Sequence, residues 1–230
     1  MKLLLVDLDG TLLLSGGAGK RALEDVFAAR YGKPDAFRGV DPGGKTDPRI
    51  LREMARNSGV AMERIDRDMP LLCAEYLDRL RVHMPAAPAT LMPGVQSFLE
   101  AASAADGVLL GLLTGNLEEG ARIKLARFDL NGYFSFGAFG SDSEDRNALV
   151  PVAVARASAL LGRPVAGGRN VVVLGDTALD IECGKAHGAV TIGVATGGTS
   201  VEELERHGPD RVFDDLSDAA AVVECVLRGG

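Results

Sequence analysis

Two aspartates stand one residue apart at the end of an apolar run: Asp7 and Asp9 in LLLVDLDGTLL, residues 3–13. Carboxylates ~4 Å apart repel by about 4 kcal/mol at an effective dielectric of ~20, so a core strand that ends this way needs a compensating charge. A third acid, Asp176, closes a second apolar run, NVVVLGD (170–176), and Asp180 follows four residues on. That spacing places Asp180 one helical turn further along, able to face the same site. Thr114 ends a third run, GVLLGLLT (107–114), with Gly115 and Asn116 behind it. Asp-Gly-Thr alone is ordinary turn chemistry, but a turn does not account for GDTALD (175–180) in a parallel position. Hard oxygen donors without His or Cys suit Mg2+, which takes a few carboxylates and keeps water and substrate phosphate in its shell.

Strands must carry these residues to one place. Apolar runs predict strands at 107–114, 133–140, 170–176, 189–198 and 210–215, besides the first. Helices are expected between them. One is marked by Leu117, Ala121, Leu125 and Phe128, and the next by Val150, Val154, Ala157 and Leu161. Others follow over 178–187 and at the C-terminus, where Ser217 can cap a helix bearing Val222, Val223, Val226 and Leu227. Continuous apolar strands separated by helices predict a doubly wound, mostly parallel α/β sheet covered on both faces. In such sheets ligands bind outside the carboxyl ends of the strands, where the acids collect.

Residues 15–85 follow another pattern. Ala18 to Tyr31 and Thr46 to Asn57 read as helices, the second with Thr46 or Asp47 as N-cap and Pro48 in its first turn. Pro70 breaks or starts a further helix with Leu72, Tyr76, Leu80 and Met84 at four-residue intervals. No strand is expected in this block, and the three prolines of MPAAPATLMPG (84–94) read as a linker. The predicted organisation is an α/β core of residues 1–14 and 86–230 with an α-helical cap domain, residues 15–85, inserted after the first strand. Lys124, beside the apolar stripe of its helix, reads as a solvated or snorkelling residue. Arg49, Arg52 and Arg56 read as a solvated helical face. No role is assigned to His83, His187 or His207.

The 230 residues are 47% hydrophobic and 25% charged, enough to bury a sizeable core. A net charge of −7 argues against a general nucleic-acid or anionic-membrane surface. Cys73, Cys183 and Cys225 have no CxxC spacing, so neither a disulfide framework nor a zinc site is expected. The leucines after Met1-Lys2 stop at Asp7, short of a signal-peptide core, and no apolar stretch approaches ~18 residues. A cytoplasmic protein, monomer or weak homodimer, is expected.

DLDGTLL, LLTGN and GDTALD resemble, in order and spacing, the signature motifs of the haloacid dehalogenase superfamily, and the inserted helical block resembles a type-1 cap. The resemblance covers essentially the whole chain. It implies a sheet ordered 3-2-1-4-5-6, counting the six strands in sequence, with a mobile cap over its end. It also implies roles. Asp7 is the nucleophile that forms an aspartyl-phosphate, and Asp9 is general acid and then base. Thr114 donates to the phosphoryl oxygens. Asp176 holds Mg2+ with Asp7 and the main-chain carbonyl of Asp9, supported by Asp180. Gly10, Gly115 and Asn116 border the phosphate. The family expects a lysine, usually followed by proline, before the helix leading to the metal strand; GSDSEDRNALVP (140–151) offers only Arg146, which can pair with phosphate bidentately. In the cap, GGKTD (43–47) resembles loops of the phosphoglycolate-phosphatase-like branch, placing Lys45 and Thr46 at the substrate. A helix-capping turn with an exposed lysine is the alternative for this loop.

The implied function is a Mg2+-dependent phosphatase of a small phosphorylated metabolite. Asp9 argues against a dehalogenase, which lacks the second acid. A phosphonatase using Lys45 as a Schiff-base amine, a phosphomutase, and a phospho-Asp receiver module are the alternatives. A receiver is a compact single domain, whereas this chain spends about 70 residues on a helical insertion between the first-strand aspartates and the second strand.

Overall fold

The computed structural model describes residues 1–229. In chain order its strands are β1 (Lys2–Val6), β2 (Leu13–Leu14), β3 (Thr90–Leu91), β4 (Val108–Thr114), β5 (Gly137–Phe139), β6 (Val171–Gly175), β7 (Val190–Val194) and β8 (Arg211–Phe213). Its helices are α1 (Ala18–Tyr31), α2 (Asp47–Ser58), α3 (Met62–His83), α4 (Val95–Ala104), α5 (Glu118–Ala126), α6 (Leu149–Leu161), α7 (Ala178–Ala186), α8 (Val201–Arg206) and α9 (Ala219–Arg228).

Successive side chains of a strand point to opposite faces, and after Lys2 every residue of β1 is apolar and buried. Leu4 and Val6 enter one core with Phe98 and Leu99 of α4, Leu125 of α5 and Val222 and Val226 of α9. Leu3 and Leu5 enter another with Leu149 and Ala153 of α6 and Cys183 of α7. A strand buried on both faces belongs in the middle of a sheet. β1 accordingly pairs with β4 on one side and β6 on the other, in the order β5-β4-β1-β6-β7-β8. Every pairing in this six-stranded sheet is parallel. Counted in sequence this is 3-2-1-4-5-6, as the resemblance implies.

Three details differ from the sequence reading. First, α3 runs through Pro70 without a break. Its buried stripe of Ile65, Leu72, Tyr76 and Leu80 continues across the proline. Packing that stripe outweighs the ~3 kcal/mol and the one lost backbone bond that an interior proline costs. Second, the proline-rich linker contains β3, which pairs antiparallel with β2 through Leu13↔Leu91 and Leu14↔Thr90. Two-residue strands are too short to show a period. Third, the strand expected over 133–140 is confined to β5, whose partners on β4 run only from Leu112 to Thr114.

Helices α1 to α3 form a third apolar cluster, in which Val26, Phe27, Leu51, Met54, Leu72 and Leu80 are essentially buried. This helical insert lies across the carboxyl ends of β1, β4 and β6, since residues of both line one cavity. No helix among the described residues is long and apolar enough to cross a membrane.

Candidate active site

Parallel register decides where the acids emerge. Val6, the last residue of β1, is level with Leu112 of β4 and Leu174 of β6. Asp7 follows at once, its N–H donating to the Leu174 carbonyl at 2.9 Å. Thr114 and Asp176 lie two residues past Leu112 and Leu174, so they flank Asp7 one step further out. Asp180, in the first turn of α7, is held by a capping box. The Thr177 hydroxyl and N–H donate to its Oδ2 at 2.6 and 3.1 Å.

Carboxylate oxygens of Asp7, Asp176 and Asp180 come within 4.8 Å of one another, and all three residues are buried. Glycines make room for them. A Cβ on Gly10, whose φ is 87°, would lie 2.4 Å from Asp176 Oδ2, and one on Gly197 would lie 1.6 Å from it. Thr11 donates to Asp176 Oδ1 at 2.9 Å.

The counter-charge is Arg146, itself only 6% exposed. Its Nη2 donates to Asp7 Oδ1 at 2.9 Å and to Asp180 Oδ1, and its Nη1 to the Gly44 carbonyl of the insert at 3.0 Å. Its Nε is buried without a partner. Burial works against the guanidinium's charge, but Asp180 and Asp7 outweigh it and hold its pKa well above the ordinary range. This guanidinium reaches two of the three carboxylates and, among the described residues, leaves Asp176 without a cation. Burial, then Asp180, pushes Asp7 up to about 7, and burial with Asp7 and Asp180 pushes Asp176 up to about 8. With all three carboxylates ionised the cluster would be two positive charges short, its donors are all oxygen, and a divalent ion such as Mg2+ fits on both counts.

Asp9 faces the other way, with its side chain 39% exposed. Its Oδ2 accepts from Asn116 Nδ2 at 2.7 Å and from Lys124 Nζ at 2.5 Å. Asn116 Nδ2 also donates to Thr114 Oγ1 at 2.8 Å, and Lys124 Nζ to Asn116 Oδ1 at 2.6 Å. Lys124 is therefore not the solvated residue expected from its sequence context: it is 4% exposed and turned inward. The signal was present. Leu117, Ala121 and Lys124 follow the i, i+4, i+7 spacing of one helix face.

The GGKTD loop divides. Lys45 lines the cavity, its Nζ ion-paired with Glu53 Oε2 at 2.7 Å. Thr46 does not reach the cavity. It is fully buried, and its hydroxyl donates to the Glu144 carbonyl at 2.9 Å instead of capping α2. Arg52, expected on a solvated face, ties to Glu144 and Asp66. Asp47, read only as a helix cap, is buried in the site and accepts from the Leu117 N–H at 2.8 Å. Burial raises its pKa to about 6, against the pull of Lys124 and that hydrogen bond. Tyr76 likewise faces the site from α3.

The cavity has a volume of about 430 Å3. Asp7, Asp9, Asp176, Thr114, Asn116 and Arg146 line it from the sheet, as do Gly10 and Gly115. Leu23, Phe37, Ile50 and Tyr76 line it from the insert. Asp180 is not among the lining residues; it sits in the acidic cluster and grips Arg146.

The strand order, the insert after β1 and the acids at the strand ends together define a haloacid dehalogenase-type site. The family model of haloacid dehalogenase-like hydrolases matches residues 4–185, and the chain belongs to that family. No curated protein matches its sequence. Among solved structures it resembles CbbY from Rhodobacter sphaeroides in complex with phosphate, at 18% identity and a TM-score of 0.70, over 95% of this chain and 96% of that one. It also resembles a predicted phosphoglycolate phosphatase from Haemophilus somnus, at 18% identity and a TM-score of 0.69, over 96% and 97% of the two chains. A protein assigned as a β-phosphoglucomutase from Thermotoga maritima gives 20% identity and a TM-score of 0.64, over 97% and 99%. At these identities the likeness is one of fold.

Proposed function

We propose that this hydrolase is a Mg2+-dependent phosphatase of small phosphomonoesters. The observation that carries the reading is the separation of the two aspartates that follow β1. Asp7 lies in the buried acidic cluster against Arg146, whereas Asp9 is held apart by Asn116 and Lys124. One carboxylate is thereby kept for attack and the other for proton transfer.

Asp7 attacks phosphorus as the ester P–O bond breaks, and Asp9 delivers a proton to the departing oxygen. An aspartyl-phosphate remains on Asp7. Asp9, now a carboxylate, takes a proton from the water that attacks this phosphorus, and inorganic phosphate leaves with Asp7 restored. Thr114 donates to the phosphoryl oxygens, and Arg146 supplies fixed positive charge beside them. The main chain of Gly10 and Gly115, with Asn116 and Lys45, surrounds the substrate. Asp7, Asp176 and the Asp9 carbonyl, supported by Asp180, would hold Mg2+, which when bound would neutralise charge on the transferred phosphoryl group.

A Schiff base needs the amine at the substrate carbonyl, and Lys45 Nζ is instead engaged by Glu53, which disfavours a phosphonatase. Assay of p-nitrophenyl phosphate and a panel of phosphorylated metabolites at fixed Mg2+ tests the reading. Turnover that disappears with EDTA is expected. A long-lived phospho-Asp7 with no turnover would overturn it in favour of a switch module.

A further inference from the structure

We infer that Lys124 is a positioning residue for Asp9, selecting which of its two oxygens handles the proton. The inference rests on the phosphatase reading above.

A carboxylate turns about a broad, roughly two-fold torsion, and a partly exposed one samples it freely. Asp9 is not free to do so. Lys124 Nζ and Asn116 Nδ2 both donate to Oδ2, at 2.5 and 2.7 Å. No protein donor reaches Oδ1 among the described residues, and Asp9 lines the cavity. Oδ1 is therefore the oxygen left open for proton exchange with the substrate.

The ammonium adds charge to orientation. Asp7 bonds to phosphorus while the ester P–O bond breaks. The proton on Asp9 Oδ1 moves to the leaving oxygen, which departs as a neutral alcohol. Asp9 is left with a negative charge beside a cation already in place, so no solvent need reorganise around it. Asn116 can fix the oxygen but cannot supply that charge. A purely structural role explains the burial poorly, because removing an ammonium from water costs several kcal/mol that an ion pair seldom returns in stability.

The test uses substituted phenyl phosphates, from p-nitrophenyl to unsubstituted phenyl, with Mg2+. The value of kcat/KM reports the steps through leaving-group departure, and poor leaving groups depend most on the acid. With Lys124→Met, a loss of about 10–100-fold is expected for phenyl phosphate, part of the 10²–10⁴ that a general acid contributes. For p-nitrophenyl phosphate the loss should stay below about threefold, because little proton donation is needed. In an Asp9→Asn background, Lys124→Met should add less than about twofold, since the two act as a unit. Equal losses across the series, or a full additional loss in the Asp9→Asn background, would overturn the inference. Should Lys124→Met fail to fold, Lys124→Gln keeps a donor without the charge. An intermediate steepening is then expected, and none would overturn it. A wild-type chain inactive on the entire series would instead remove the phosphatase reading itself.

Discussion

Replacing Asp176 by asparagine should stabilise the metal-free protein and abolish its response to magnesium. Asp176 is pushed from 3.8 up to about 8 by burial and by Asp7 and Asp180. At pH 7 the folded chain then holds a proton that the unfolded chain gives up, at about 1.4 kcal/mol per unit, or about 4 kcal/mol in all. Asparagine escapes this and can still accept the Thr11 hydrogen bond, but its amide must find partners in the same space. A net gain of about 2 kcal/mol, or about 4–8 °C in Tm for a chain of this size, is the expectation. The sign with pH follows. Carboxylates whose folded pKa exceeds the unfolded value favour folding fully below pH ~4 and lose that contribution as pH rises through about 7 and 8. The advantage of Asp176→Asn should therefore widen from pH 5 to pH 8. Saturating Mg2+ should reverse the order, since a ligand at 100 times its Kd stabilises the wild type by about 2.7 kcal/mol. Thermal melts with EDTA and with Mg2+ decide it. A metal-free variant melting below the wild type at pH 8, or equal Mg2+ stabilisation of both, would refute the electrostatic account.

Other substitutions probe the remaining parts. Asp7→Asn should keep the fold, by circular dichroism, and lower kcat by about 10⁴-fold or more, as loss of a nucleophile does; a near wild-type rate would exclude the mechanism. In Gly197→Ala the new methyl lies 1.6 Å from Asp176 Oδ2 and must displace it. Titration calorimetry should show Mg2+ affinity down by about 10–100-fold, the range for disturbed ligand support. A Cβ on Gly115 would lie 2.0 Å from the Lys45 carbonyl oxygen. Urea unfolding of Gly115→Ala should show a loss of about 1–3 kcal/mol from this overpacking.

The sheet was legible because each of its longer strands is apolar on both faces, and the acids were legible because each closes such a strand. The strand order came from the family resemblance and not from hydropathy. Lys124 was misplaced because an amine on an apolar stripe is ordinarily a snorkelling one, and only its partners, Asp9 and Asn116, reverse that. Those partners are 115 and 8 residues away, beyond any local pattern. Thr46 and Asp47 illustrate a competing chemistry. Both residue types cap helices, yet Thr46 bonds the Glu144 carbonyl and Asp47 receives the Leu117 N–H, each across the gap to the sheet domain. Local propensity carries no information about such distant partners. Pro70 misled for the opposite reason: the local rule is sound, but tertiary packing overrode it.

The short pairing of Leu13–Leu14 with Thr90–Leu91 carries one more implication. In an antiparallel pair facing residues stand only about 4.5–5.5 Å apart, so the chain leaves the sheet and returns at nearly one point. A two-residue turn could join Leu14 to Thr90 directly, as in any tight hairpin. The connectivity of the six parallel strands is thus indifferent to what is spliced between those two leucine-bearing ends. Exchange of that module would change the part of the cavity wall made by Leu23, Phe37, Ile50 and Tyr76 while leaving Asp7, Thr114 and Asp176 at the ends of their own strands.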